Sequence, residues 1–394
     1  KHTSLTEKQK QARKEKYQYD KIKEKYLNFK HPMTKVIIEG KDIAESAKDL
    51  VLSDLEADLS TGFEASVVNF SLYHVFDQEE GQYRFADCRQ YITLGSSISV
   101  EMGYSGQFTE IFTGFIAAVR FVKSGTETHH IEVTAMDVKG IMMSGSFSRQ
   151  LSSNCYSKAV EEILEGSLYQ KLQSKNIYKT AKITPTPDVN MQNRPLNSTI
   201  EMVAESDYEF IVKTAKRFNY EFFVEDGTIC FRRRKDIPQD ELLMQLKNAD
   251  GILSYDMTFD MTGLVKKVEV RGADTARGTV VTATANASNK ISKGSKAKAL
   301  INETSKVVLD ANATTKEAAQ YRADSLMEDI AYRFGSLTCD CVGIPELKPG
   351  YFIRISDLGD PCDAKFYVTH TRHVMNDYDG YHTYITAKAA MLSD

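Results

Sequence analysis

The chain has 394 residues, 42% hydrophobic and 26% charged, an ordinary balance for a globular protein with room for two or three domains. Its net charge of −4 argues against a general nucleic-acid binder, which draws affinity from clustered Lys and Arg on phosphates. No apolar run approaches the ~20 residues of a membrane-spanning helix, and six scattered cysteines set no disulfide framework.

Residues 1–30 form a compositionally separate arm, with ten Lys/Arg against four Asp/Glu, leaving about −10 for the remainder. They lack the apolar stretch of a secretion signal, so synthesis in a reducing cytoplasm is expected. Thr6 and Gln9 have capping-box spacing. Tyr19, Ile22, Tyr26 and Phe29 recur at 3-4-3 intervals, a narrow helical seam suited to docking on one partner. The plainer alternative is a solvated, frayed basic helix. His31-Pro32 then ends the helix, since Pro cannot continue it and restricts the residue before it.

Residues 31–149 change to period two. Strands are predicted over Val36–Glu39, Val51–Leu59, Glu64–Leu72, Ile92–Met102, Ile111–Val122 and Thr128–Ala135. Gly40, Thr61-Gly62, Gly81, Gly95, Gly103 and Gly125 supply turns, and Asp77–Asp87 is a surface insertion. Short strands without long helices between them suggest an antiparallel barrel.

Residues 150–240 alternate. A helix is expected at Tyr156–Leu164, and Pro185–Pro195 is an ordered linker or loop. The sharpest pattern is SDYEFIVKTAKRFNYEFFVEDGTICFRRR at 206–234. Ser206 and Glu209 have capping-box spacing, and Phe210, Ile211, Thr214, Ala215 and Phe218 share one helical face. Asn219 tolerates a left-handed helix end, after which Tyr220–Val224, Asp226-Gly227 and Thr228–Phe231 make a hairpin. Arg232, Arg233 and Arg234, with Lys235, are either the polar end of that hairpin or a contact for an acidic partner subunit.

Residues 241–394 return to strands at Ile252–Phe259 and Leu264–Arg271. An Ala/Thr/Ser/Lys-rich stretch, 273–305, interrupts them as a mobile loop or inserted hairpin. A helix over Thr315–Tyr332, capped by Thr314 or Thr315, precedes strands Leu337–Val342, Tyr351–Ile355, Phe366–His373 and Tyr381–Lys388.

Catalytic signatures are missing. There is no G-x-S-x-G, Walker-type loop, G-x-G-x-x-G or H-E-x-x-H. His370, His373 and His382 with Cys339 and Cys341 would hold zinc only if both groups converged, and packed or hydrogen-bonded histidines are the commoner outcome. No enzyme activity, metal or cofactor is expected.

The E-S-D-x-x-F-[IL] helix start, made by Glu205, Ser206, Asp207, Phe210 and Ile211, with the aromatic strand and Asp226-Gly227 turn that follow, resembles late control D proteins of contractile phage tails and the hub part of VgrG proteins. LKPGYFIRIS at 347–356 and FYVTHTRHVMNDYDGYHTYITAK at 366–388 are similar to that family's closing pattern, in which His373 is a structural position. The likeness spans roughly 33–394 and leaves the basic arm unexplained. It implies an α+β, mainly β fold of two related antiparallel barrels, 31–149 and 241–394, with the helix-plus-hairpin domain 150–240 between them. It further implies a structural baseplate hub of a phage, tailocin or related injection particle. Such a hub is a homotrimer joining a hexameric tail tube to a separate trimeric spike, beside other baseplate or tape-measure subunits, with no stable nucleic-acid or membrane binding. The alternatives are a tail-tip hub of a non-contractile tail, or a cell-wall hydrolase or carbohydrate-binding tail protein.

Overall fold

The computed structural model describes residues 15–390 apart from 48, 124, 126–127, 190–198, 239, 275–276 and 288–294. The Thr6–Gln9 pair and the second half of the 185–195 linker lie outside the described residues. The fold is α+β and mainly β.

Most of the period-two segments join a single 13-stranded sheet. Its path starts at Ile252–Phe259 and runs through Gly335–Val342, Gly380–Ala389 and Lys365–Asn376. It continues through Val51–Ser60, Val67–Tyr73, His130–Met136, Gln107–Val122, Ser97–Tyr104, Pro32–Ile38 and Lys41–Asp42. Phe352–Ser356 pairs with Lys365–Asn376 and, in parallel, with Met244–Lys247.

The two β regions expected as separate barrels therefore share one sheet. They are joined by antiparallel pairing of Lys365–Asn376 with Val51–Ser60, which sets Thr371 opposite Leu59 and His373 opposite Ala57. Among the described pairings none closes either region on itself. Alternating burial along these strands sends Leu55, Ala57 and Leu59 from one region and Ile385 and Ala387 from the other into the same core. Gly103 lies inside its strand, not at a turn: a Cβ there would sit 1.8 Å from the Gln107 carbonyl oxygen, and the chain turns at Ser105-Gly106. The expected surface insertion contains a short hairpin, Phe76–Asp77 with Gln82–Tyr83, and then a helix, Phe85–Ile92, that buries Cys88 and Tyr91.

The middle region has its own core. Helix Asp207–Phe218 begins with the expected capping box: the Glu209 amide donates to Ser206 Oγ at 3.1 Å, and the Ser206 amide to Glu209 Oε2 at 2.7 Å. It ends at Asn219 with φ +55°, in the left-handed conformation that Asn tolerates. Phe210, Ile211, Ala215 and Phe218 pack against Phe222, Ile229 and Phe231 of the hairpin Glu221–Glu225 and Thr228–Arg232. Thr180–Ile183 adds a parallel strand, Tyr156–Leu164 is helical as expected, and Ser167–Ser174 is a helix that the sequence reading leaves out. Ser206→Ala is expected to cost about 1 kcal/mol by orphaning the Glu209 amide. A urea midpoint unchanged from wild type would show that the cap does not hold this helix.

The 273–305 stretch is structured where described. Lys267–Asp274 pairs with Thr279–Asn286, helix Ser295–Asn302 follows, and Ser305–Leu309 returns parallel to Lys267–Asp274. Val268, Val270, Ala283 and Ala285 pack on Ala319, Ala323, Met327 and Ile330, the last four from helix Lys316–Ala331, which Thr315 caps through the Ala318 amide at 3.1 Å. Small side chains on that sheet face let the helix approach closely. The same small side chains make the sequence look like low complexity.

Candidate functional site

The two stretches that carry the family resemblance, 206–234 and 347–388, meet in space. Lys348 is ion-paired with Asp226 of the hairpin turn. The Tyr351 hydroxyl donates to both Glu225 oxygens at 2.8 and 2.9 Å, and the Tyr367 hydroxyl to both Glu221 oxygens at 2.7 and 2.6 Å. An Arg232 Nη2–H donates to the Gly350 carbonyl, and the guanidinium lies 5.1 Å over the Phe223 ring. Gly350 has φ +91°, and a Cβ there would come within 2.7 Å of Arg232 Nη2, so this position requires glycine. Burial pushes the Glu221 and Asp226 carboxyls above their ordinary range despite the Tyr367 hydroxyl and the Lys348 ammonium that oppose the shift.

The arginine run is consumed here. Arg232 stands 3.8 Å from Glu221, Arg233 pairs with Asp236 at 2.5 Å, and Arg234 reaches Glu328 at 3.3 Å and Asp329 at 3.6 Å while stacking 3.7 Å over Tyr332. Of the two readings of Arg232, Arg233 and Arg234, polar hairpin end or contact for an acidic partner subunit, the chain itself supplies carboxylates to all three. Proximity in sequence suggested an exposed run, but the short turn at Arg234–Asp236 directs the three side chains to three different neighbours.

The arm seam is likewise used within the chain. Lys16 and Tyr17 amides donate to the Leu242 and Leu243 carbonyls at 2.8 and 2.9 Å, and helix Tyr19–Lys25 follows. Ile22 and Tyr26 are buried in the sheet core, Tyr26 completely, and Tyr19 and Phe29 pack against that core. Tyr26 and Phe29 lie 5.5 and 5.3 Å from Tyr104, whose ring is 5.6 Å from Tyr381, so the aromatic ridge touches both β regions. The Tyr26 hydroxyl donates to Glu346 Oε1 at 2.9 Å, Lys25 Nζ stands 2.7 Å from the same oxygen, and Lys23 pairs with Asp250 at 3.5 Å. Tyr19, Ile22, Tyr26 and Phe29, expected to meet a partner, instead strap the two regions together. Glu346, Tyr104 and Tyr381 complete this clamp and had no signal in the sequence, because each is remote from the arm in the chain.

The candidate zinc groups do not converge. His370 pairs with Asp58 and His382 with Asp340, while His373 is fully buried. Its Nε2 lies 3.0 Å from the Leu347 carbonyl, which only accepts, so Nε2 carries the proton. Its Nδ1 then accepts from the Tyr381 hydroxyl at 2.8 Å. Desolvation lowers the His373 pKa to about 3. Cys339 and Cys341 Sγ lie 3.4 Å apart, and among the described residues no group of three His, Cys, Asp or Glu is placed to hold a metal ion. No helix among the described residues is long and apolar enough to cross a membrane.

Over residues 34–377 the sequence matches the family model described as the Alg8 N-terminal domain, and the chain belongs to that family. No curated protein matches the sequence. In fold the chain is similar to the tail protein from Neisseria meningitidis MC58, with TM-score 0.61 and 15% identity over 91% of this chain and 97% of that one. It is similar to the 43 kDa tail protein of prophage MuSo2 from Shewanella oneidensis, with TM-score 0.63 and 13% identity over 92% and 100%. An Escherichia coli component of the type VI secretion system, itself described as similar to T4 bacteriophage tail proteins, gives TM-score 0.53 and 11% identity over 89% and 76%. At these identities the likeness establishes the fold.

Proposed function

We propose that this chain is a structural subunit of a tail or injection particle, and within it the hub that joins the tail tube to the spike. The observation that carries the reading is the shared fold along nearly the whole length of two tail proteins. Two β regions, each in the role of a hub barrel, are welded by strand pairing and by the arm clamp, and the buried Glu221–Tyr367 and Asp226–Lys348 contacts tie the middle region to the second of them. A body tied at three places transmits load without hinging, which is what an adaptor under contraction needs. Three copies would offer six similar units to a hexameric tube and threefold symmetry to a separate spike. The chemistry is then mechanical and not catalytic, and the protein works in the assembled baseplate beside other baseplate or tape-measure subunits.

Light scattering on a sizing column, with the protein alone and mixed with its candidate tube and spike proteins, tests this. The expected mass is near three chains, rising by one spike trimer on mixing. A stable monomer that ignores both partners would overturn the hub assignment and turn attention to the hydrolase or carbohydrate-binding alternatives.

A further inference from the structure

Of the lysine–carboxylate pairs among the described residues, Lys348–Asp226 alone has both side chains less than a quarter exposed, at 13% and 22%. The backbone is fixed on each side of the contact. The Lys179 amide donates to the Gly227 carbonyl at 2.8 Å, and a Cβ on Gly227 would lie 3.0 Å from Thr113 Cβ. The hairpin turn that carries Asp226 is therefore lodged against strand Gln107–Val122. Opposite it, the Leu347 carbonyl accepts from His373 Nε2 at 3.0 Å, and the Gly350 amide donates to the Val368 carbonyl at 2.8 Å. Pro349, between those two anchors, has a fixed φ. Lys348 Nζ is thus held against Asp226 Oδ2 in a mostly enclosed place.

An amine and a carboxyl group held together are the reactants of an amide. As an ion pair they are inert, since the ammonium has no lone pair to offer and the carboxylate resists attack. One proton passed from Nζ to Oδ2 across the contact leaves a neutral amine against a neutral acid. Burial favours this exchange, because the neutral pair has no charge to desolvate. Burial already pushes the Asp226 carboxyl above its ordinary range against the Lys348 ammonium, with the Glu225 and Glu110 charges adding to the rise. On Lys348 burial acts downward, but the Asp226 and Glu225 charges outweigh it and hold the ammonium up, so the proton exchange is the demanding step. Fixed geometry offsets that demand, since well-oriented neighbours react as if present at roughly 10⁵–10⁸ M.

We propose that Lys348 and Asp226 are joined by an isopeptide bond that forms within the folded chain. The Nζ lone pair attacks Asp226 Cγ, the Nζ–Cγ bond forms and the Cγ–Oδ2 bond breaks. Oδ2, which already carries the transferred proton, takes a second from Nζ and leaves as one water, so no oxidant or co-reactant is needed. The bond ties the hairpin of the middle region covalently to the second β region. It does not depend on the tail reading.

Mass spectrometry of the intact chain, reduced and denatured, tests this. The expected mass is one water below that of the sequence. Trypsin should then release residues 218–232 and 334–354 as a single branched peptide joined through Asp226 and Lys348. Asp226-Gly227 has a second way to lose water, by closing its side chain onto the Gly227 amide nitrogen, so Lys348→Arg is the control. That variant keeps the Asp-Gly pair and a cation beside it, and the water deficit should disappear from it. A wild-type chain at full sequence mass would overturn the proposal. So would a deficit that survives in Lys348→Arg, or one without the branched peptide. Should Lys348→Arg not fold, the branched peptide in the wild type decides alone.

Discussion

Tyr26→Ala is expected to destabilise the chain by about 4 kcal/mol, read at pH 7 as a large fall in the urea midpoint. The side chain is completely buried between two β regions, and removing a buried aromatic typically costs about 3–5 kcal/mol through lost transfer energy and the cavity left behind. Tyr26→Phe separates the two contributions. It keeps the ring against Tyr104 but removes the hydroxyl that donates to Glu346, so a loss of about 1.5–3 kcal/mol is expected, the range for a hydrogen bond to a charged group. An alanine variant within about 1 kcal/mol of wild type would show that the arm does not clamp the sheet, since even a modest core truncation costs more.

Acid is expected to destabilise the protein through His373. The sign follows from the two states: the unfolded imidazole takes a proton near its ordinary 6.5, while the buried one resists until about 3. Below pH 6.5 the unfolded state therefore binds the extra proton, and the stability that neutral His373 contributes is lost as pH falls toward 3. At about 1.4 kcal/mol per unit, the loss is about 2 kcal/mol at pH 5 and about 4 kcal/mol at pH 3. Burial-raised carboxyls such as Glu221 act in the opposite direction, holding protons in the folded state, so the informative comparison is with His373→Gln, which keeps them. The variant should be less stable at pH 7, where its amide replaces a fitted imidazole, yet its stability should decline less from pH 6.5 to 4.5. Parallel curves for the two proteins over that range would reject the role given to His373.

Much of the local structure was legible because its causes are local. The Ser206–Glu209 cap, the Phe210-to-Phe218 face, the Asn219 stop and the Asp226-Gly227 turn each depend on residues within a few positions of one another. Helix Tyr156–Leu164 and strand Ile252–Phe259 likewise fall where periodicity placed them. Of the two readings of the 273–305 stretch, mobile loop or inserted hairpin, the structure shows the hairpin where it is described; Ala and Thr give a weak hydropathy contrast, although their alternation in TVVTATAN is that of a strand. Helix Phe85–Ile92 was missed inside a stretch rich in polar and turn-prone residues, where only Cys88 and Tyr91 face inward.

The site was legible as a set of residues but not in its direction. Tyr19, Ile22, Tyr26 and Phe29 were recognised as a docking seam, and they do dock, but on this chain's own Tyr104 and Tyr381 neighbourhood. Arg232 to Arg234 read from the sequence as either the polar end of a hairpin or a contact for an acidic partner, and within the chain Glu221, Asp236 and Glu328 lie against them. Spacing along a helix or hairpin says which side chains share a face. It does not say whether the surface that covers the face belongs to the same molecule.

By itself, then, the sequence determined the elements, their caps and turns, the apolar faces and the separate character of the basic arm. Tertiary structure decided the rest. It paired Lys365–Asn376 with Val51–Ser60 to fuse two expected barrels into one sheet, brought Lys348 to Asp226, and folded the arm back over both regions. The physical reason is range. Caps, turns and amphipathic faces depend on energies between residues a few positions apart, whereas strand pairing and burial of Glu346 beneath Tyr26 join residues about 320 apart, where every strand of suitable length and alternation is a candidate neighbour until the whole core is packed.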